Sequence, residues 1–210
     1  MTDTWGAAEV RSWIERAADE YDAQRTELTE LDRMIGDGDH GENLARGFTA
    51  VRAALGAVDG GPAELLKKTG ATLISTVGGA AGPLYGTAFL RMAKAVPADG
   101  ILTGEALIAV AAAGLQGIVD RGKAEVGDKT MVDAWSAALS EARAQAETDS
   151  SVHAIVTALH RGAAEGAAST EPLVARKGRA SYLGERAIGH RDPGAQSSAL
   201  LWGAAAGETA

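Results

Sequence analysis

The chain has 210 residues, of which 45 are alanine, 27 glycine and nine aromatic; it has no cysteine and carries a formal charge of −8. A 46% hydrophobic content can build a core, which excludes global disorder, and the missing cysteines exclude disulfides, thiolate zinc sites and a cysteine nucleophile. The acidic balance argues against generic nucleic-acid binding, which works through a basic face.

The first segment, MTDTWGAAEVRSWIERAADEYD, is charged throughout and has no apolar h-region, so no signal peptide is expected. Its pattern predicts a helix from about Trp5 to Tyr21 with Thr4 as N-cap. A second helix starts near Gly41 and ends before the Asp59-Gly60-Gly61 break. Pro62 at a first-turn position opens a helix through Val77, and Pro83 repeats the device for a helix that stops before Pro97. Thr103 caps the next helix, whose apolar face is marked by Leu107, Val110, Ala111, Leu115 and Ile118. This segment contains the longest greasy run, LIAVAAAGLQGIV, which is shorter than the ~18 apolar residues of a membrane span. Asp128 is expected to cap a helix to about Gln145, Asp149 one through Ala168, and Asp192-Pro193 a final one to about Ala206. Alternating apolar and β-branched runs are absent, so no strand is expected. The sum is roughly eight helices in one all-α domain over residues 1–210, cytoplasmic and independent of membranes, with small side chains allowing close helix contacts.

The densest chemistry lies in LDRMIGDGDHGENL, Leu31 to Leu44. Asp32, Asp37 and Asp39 fall close together among glycines, followed by His40 and Asn43. Carboxylates this crowded repel unless they are solvated or share a cation, and Mg²⁺ takes such oxygen ligands together with waters and phosphates. A helix beginning near Gly41 adds unpaired N–H groups and a positive dipole end suited to phosphate. A solvated Asp/Gly turn has the same composition, so both readings stand on spacing alone. The spacing disfavours an EF-hand, because its D-x-D-x-D-G order and closing glutamate are missing.

Three further segments stand out. VGGAAGPLYGT, from Val77, fits backbone pressed against a ligand or simply a helix–helix turn. GKAEVGDKT, from Gly122, imitates a Walker A motif and fails it: Asp128 separates Gly127 from Lys129-Thr130, and no strand precedes it. The stretch from Arg176 to Arg191 holds five of the 20 basic residues. It is either a solvated loop or the anion-holding complement of the acidic trio in a nucleotide–Mg²⁺ site.

The blocks LDRMIGDGDHGENLARG, GGAAGPLYGT, RGKAEVGDKTMVDAW and ARKGRASYLGERAIGHRDPGAQSSALL resemble, in family order over about residues 28–201, the nucleotide-binding L subunits (DhaL) of bacterial dihydroxyacetone kinase. The resemblance implies an antiparallel eight-helix barrel with the nucleotide at one end. It implies two Mg²⁺ ions on Asp32, Asp37 and Asp39, bridging the phosphates of ADP or ATP. Nucleotide positions of the family fall here on His40, Gly41, Glu42 and Asn43, on Ala80 and Ala81, on Gly122 and Met131, on Arg179, and on Asp192, Pro193 and Gly194. Met131 is expected to pack on the adenine and Arg179 to oppose phosphate charge. Relatives commonly carry serine where this chain has Ala81, which leaves only a backbone N–H there.

The resemblance also implies partners. Stand-alone L subunits keep ADP as a coenzyme, a phosphohistidine protein of the sugar phosphotransferase system (DhaM) recharges it, and the phosphoryl group passes to dihydroxyacetone on a separate K subunit (DhaK). With 210 residues the chain is expected to hold the L portion alone, with the basic segment as part of a docking face. Another short ketose such as erythrulose, free ATP as donor, and nucleotide-state signalling to a transcription regulator are the alternatives. Homodimerisation is compatible with all of them.

Overall fold

The computed structural model describes residues 4–208. Among them nine α-helices form: α1 Ala7–Ala23, α2 Arg25–Ile35, α3 His40–Leu55, α4 Pro62–Thr76, α5 Ala81–Ala95, α6 Gly104–Gly122, α7 Met131–Ala146, α8 Val152–Ser169 and α9 Pro193–Ala206. A 3₁₀ segment, Arg179–Ala187, lies in the connection between α8 and α9. The described residues contain no strand beyond one antiparallel bridge, Trp5 with Leu102. The fold is all-α, as the sequence predicts.

The neighbour relations explain the helix count. α1 packs on α3, each helix from α3 to α8 packs on the next, and α9 returns to α1. Eight helices therefore close a circuit, the pattern of contacts that an eight-helix barrel has. The extra helix, α2, which the sequence reading does not contain, sits against α3, α9 and the 3₁₀ segment.

Several expected starts move by a turn or less. Gly6 precedes α1 and is bonded by the Glu9 carboxylate (Oε2, 2.8 Å), in place of Thr4. α7 is capped by Thr130 rather than Asp128, and α8 by Ser151 rather than Asp149. The displaced aspartates bond the turns just before the caps: Asp128 accepts from the Glu125 N–H and Asp149 from the Ser151 N–H. Short acidic side chains compete in this way for nearby backbone donors. α5 starts at Ala81, which places Pro83 at its third residue. Thr103 and Asp192 cap α6 and α9 as expected.

Small residues set the α7–α8 contact. At Gly162 and Gly166 of α8, a Cβ would fall 2.5 Å from the Ala137 carbonyl and 2.7 Å from the Asp133 carbonyl of α7. Glycine at these positions lets the two helices touch backbone to backbone. In the buried interior Trp13 stacks on Trp202 at 5.5 Å, and Trp202 meets Trp135 edge-on at 5.0 Å. Burial of such aromatic area is the dominant favourable contribution available to this core.

Candidate functional site

Helices α3, α5, α7 and α9 all begin at one cleft, lined by Asp39 to Asn43 only in part, by Gly78 to Ala81, by Lys129 to Met131 and by Asp192 to Gly194. α6 ends beside it at Gly122. Neighbouring helices thus run in alternating directions, and the cleft collects four positive dipole ends with their unpaired N–H groups. Such a place favours an anion.

The acidic trio meets at the same cleft. Asp32 comes from the last turn of α2, Asp37 and Asp39 from the loop into α3, and each offers an oxygen within 4.8 Å of the others. Asp32 is buried; its Oδ2 accepts from the backbone N–H groups of Asp39 (2.8 Å) and His40 (3.2 Å). These bonds fold the loop over the carboxylate. Gly36 has no side chain because a Cβ there would collide with the Asp32 carboxylate, and Gly38 takes a left-handed φ of 73°. Three carboxylates converging on one point form a donor set suited to Mg²⁺.

His40 stands at the first position of α3, with its ring Nε2 2.9 Å from Ser197 Oγ of α9. Burial lowers its pKa below the ordinary value, against the opposing pull of Asp32, Asp39 and Asp37. Asn43 is buried and held by Arg46, whose guanidinium donates to Asn43 Oδ1 and to the Thr76 carbonyl.

The cleft has two compartments. One, of about 190 Å³, contains the carboxylates, His40, Lys177 and Arg179. The other, of about 430 Å³, is lined by Pro83, Leu84, Ile118, Ala124, Met131 and Val132, with Gly122 at its edge. Gly79, Ala80, Met131 and Gly178 line both. A charged chamber opens into a mainly apolar one, which Arg121 and Lys177 also border, an arrangement with room for the phosphates and base of a nucleotide.

Most of the expected residues meet here, but not all. Gly41 and Glu42 do not line either chamber. Gly41 is buried where a side chain would strike the Arg25 carbonyl and Thr29, and the exposed Glu42 faces Arg25 at 3.8 Å. The basic segment divides. Arg179 lies 2.9 Å from Asp37, whereas Arg191 turns away to Glu171 (2.8 Å) and Gln196. Only Lys177 and Arg179 of its five cations line the cleft.

Lys129, Thr130, Lys177, Leu84 and Tyr85 also line the cleft; all lie in segments that stand out in the sequence, but none is among the nucleotide or metal positions that the resemblance implies. Lys129 belongs to the segment that imitates a Walker A motif. Its buried ammonium donates to the carbonyls of Thr170 (2.7 Å), Glu171 and His190 instead of reaching out as a P-loop lysine does. It ties the end of α8 and the start of α9 to α7. Beside it, burial pushes the Asp192 carboxyl up to about 7, with Asp133 and Asp32 adding to the rise and Lys129 and the Ala195 N–H opposing it.

Fold and cleft together define the class: an all-α protein whose alternate helices present their N-termini and a carboxylate trio to one two-chambered cleft. Residues 34–207 match the DAK2 domain, and the chain belongs to that family. It is 47% identical over 190 residues to the ADP-binding subunit DhaL of the PEP-dependent dihydroxyacetone kinase of Escherichia coli K12, covering 90% of each chain. It is 44% identical over 191 residues to the ADP-binding subunit DhaL of the PTS-dependent dihydroxyacetone kinase of Lactococcus lactis, covering 90% of this chain and 91% of that one. Among solved structures, the dihydroxyacetone kinase of C. freundii in complex with AMP-PNP and Mg²⁺ superposes with a TM-score of 0.70 at 28% identity, covering 95% of this chain. The chain spans 34% of that kinase.

Proposed function

We propose that the chain is the ADP/ATP-binding subunit of a dihydroxyacetone kinase: a single DhaL-type domain over residues 1–210, acting in the cytoplasm. The observation that carries this reading is the convergence of Asp32, Asp37 and Asp39 with four helix N-termini beside an apolar chamber. Relatives named as ADP-binding subunits over nearly their whole length support it.

In this reading Asp32, Asp37 and Asp39 hold two Mg²⁺ ions, which supply charge neutralisation between the phosphates during transfer. The chain's own groups do the positioning. The N–H groups at the starts of α3 and α5, including those of Ala80 and Ala81, face the phosphates, and the Ala81 methyl adds no hydroxyl donor. Asn43, held by Arg46, borders the same chamber. Met131 and Leu84 cover the adenine, and Arg179 leaves Asp37 to oppose phosphate charge. The N-terminus of α9, at Asp192, Pro193 and Gly194, closes the opposite wall.

Substrate must come from another chain, because both chambers are occupied by the nucleotide in this arrangement. The cleft mouth therefore doubles as a docking face for a dihydroxyacetone-bearing K subunit and for a phosphohistidine donor. The 3₁₀ segment is its most exposed part: Tyr182 is 87% exposed, between Arg179 and Arg186. Following ³²P from a phosphohistidine donor to dihydroxyacetone, with the K subunit present and omitted, tests the proposal. Label should reach dihydroxyacetone only with all components, and no transfer from the complete mixture would overturn the reading.

A further inference from the structure

Behind His40 lies a run of buried polar groups that none of the roles above uses. Ser197 Oγ is 2.9 Å from His40 Nε2 and 2.7 Å from Tyr85 Oη; Tyr85 Oη is 3.1 Å from Ser198 Oγ; and Trp135 Nε1 donates to Ser198 Oγ at 3.0 Å. Both serine hydroxyls also lie within bonding distance of the Gly194 carbonyl, and Tyr21 donates to the Ser197 carbonyl. Ser197, Ser198, Tyr85 and Trp135 are essentially inaccessible to solvent. Burial raises the pKa of Tyr85, so its phenol stays neutral and keeps its proton for the network.

We infer that Ser197 and Tyr85 are positioning residues, which hold the imidazole of His40 in one orientation at the mouth of the phosphate chamber. This inference rests on the nucleotide-site reading above.

The Trp135 N–H can only donate and the Gly194 carbonyl can only accept, so the hydroxyl protons between them are constrained. Ser197 has one proton for its partners and must accept from the rest, which ties the ring to a fixed donor–acceptor pattern. His40 is also bonded from its main chain, where its N–H donates to Asp32 Oδ2. One residue thus links, by its main chain, a carboxylate of the trio and, by its ring, a rigid element in the core.

Energetics point the same way. Each buried hydroxyl forfeits water, and apolar residues of the same shape can replace a paired buried set at little cost in stability. Alanine and phenylalanine would fill these sites. A network that contributes little net stability yet ends on a site residue is explained by placement of that residue.

The test uses the full chain with K subunit and phosphohistidine donor, comparing wild type, Ser197→Ala and Tyr85→Phe. Both variants should lose roughly 10- to 100-fold in kcat, the scale of a misplaced positioning contact, with KM for dihydroxyacetone little changed. Long-range ¹H–¹⁵N spectra of the His40 ring, recorded on the chain alone, should show one hydrogen-bonding pattern in wild type and exchange between patterns in the variants. Tyr85→Phe removes a single oxygen and preserves ring volume, so it carries the test if Ser197→Ala does not fold. Wild-type kcat and an unchanged His40 spectrum in Tyr85→Phe, even with a lowered Tm, would overturn the inference and leave a structural network. Absence of transfer in wild type would instead overturn the functional reading, while the ring spectra still decide the positioning of His40.

Discussion

The guanidinium of Arg179 lies 2.9 Å from the carboxylate of Asp37, so the cation expected at the phosphates and an anion expected at the metal meet across the cleft. Both side chains are substantially exposed, and exposed pairs of this kind contribute only about 0.2–1 kcal/mol. The pair is a weak competitor for whatever each partner binds. Arg179→Ala should therefore raise the Mg²⁺ affinity of the nucleotide-stripped protein by roughly two- to fivefold while weakening ADP retention. Calorimetric titration with Mg²⁺ and with ADP separates the two effects. A Mg²⁺ affinity that falls in the variant would contradict the competition.

Asp37→Asn removes one charge from the crowded trio and should abolish Mg²⁺-dependent retention of ADP through purification. Stoichiometric ADP co-eluting with the variant would show that the trio has been misassigned. The same linkage appears in wild type: a ligand held near 1,000 times its Kd contributes about 4 kcal/mol. EDTA should then lower Tm clearly, and it should do nothing to Asp37→Asn.

Asp192 gives a pH signature. Its folded pKa is raised to about 7 from an ordinary 3.8, chiefly by burial. The folded chain therefore holds a proton that the unfolded chain releases near its ordinary value. The stability this contributes is fully present below the unfolded pKa and is lost as pH rises through about 7. Asp192→Asn keeps an N-cap of similar quality and carries no charge. In EDTA, its Tm relative to wild type should improve from pH 5 to about pH 7 and then level off. A constant difference over that range would exclude Asp192 as the titrating group.

Gly162→Ala probes the α7–α8 contact. Alanine gains about 1 kcal/mol of helix propensity, but its methyl would press on the Ala137 carbonyl and the Ala138 Cα at 2.5 and 2.8 Å. Overpacking of this sort costs about 1–3 kcal/mol, so a net loss and a lower Tm are expected. Gly56→Ala serves as the comparison. Its helical φ of −57° and nearest contact at 3.4 Å leave room, and it should be neutral or slightly stabilising.

The sequence made the circuit readable and concealed the one α-helix that stands outside it. α4, α6 and α9 announce themselves through Pro62, Thr103 and Asp192-Pro193, whose effects are local and do not depend on tertiary context. α2 does not. Its buried positions are Leu28, Asp32 and Ile35, so the middle of its inward stripe is a carboxylate, and its N-cap is Gln24. A periodicity search sees an interrupted pattern because the helix has given its central core position to the site. The 3₁₀ segment hides for a related reason: of its nine residues only Ala180 and Ala187 are buried.

The site was legible in its acidic half. Asp32, Asp37 and Asp39 are close in sequence, and Gly36 and Gly38 permit the turn that brings them together. The basic half was less so, because charge alone does not tell where an arginine points; Arg191 is taken by Glu171 and only Lys177 and Arg179 reach the cleft. Lys129 comes from the loop before α7 and Tyr85 from α5, far apart in the chain. Only the closed arrangement of helices brings them to one wall.

The tryptophans carry an optical consequence. All four indoles of the chain form one unbroken series, Trp5 to Trp13 at 6.0 Å, Trp13 to Trp202 at 5.5 Å and Trp202 to Trp135 at 5.0 Å. At such separations excitation energy hops readily between neighbouring rings, so emission need not come from the indole that absorbed. The last indole is bonded to Ser198, one residue from the hydroxyl that holds His40. Trp135, the indole bonded to this network, therefore shares its excitation with the other three.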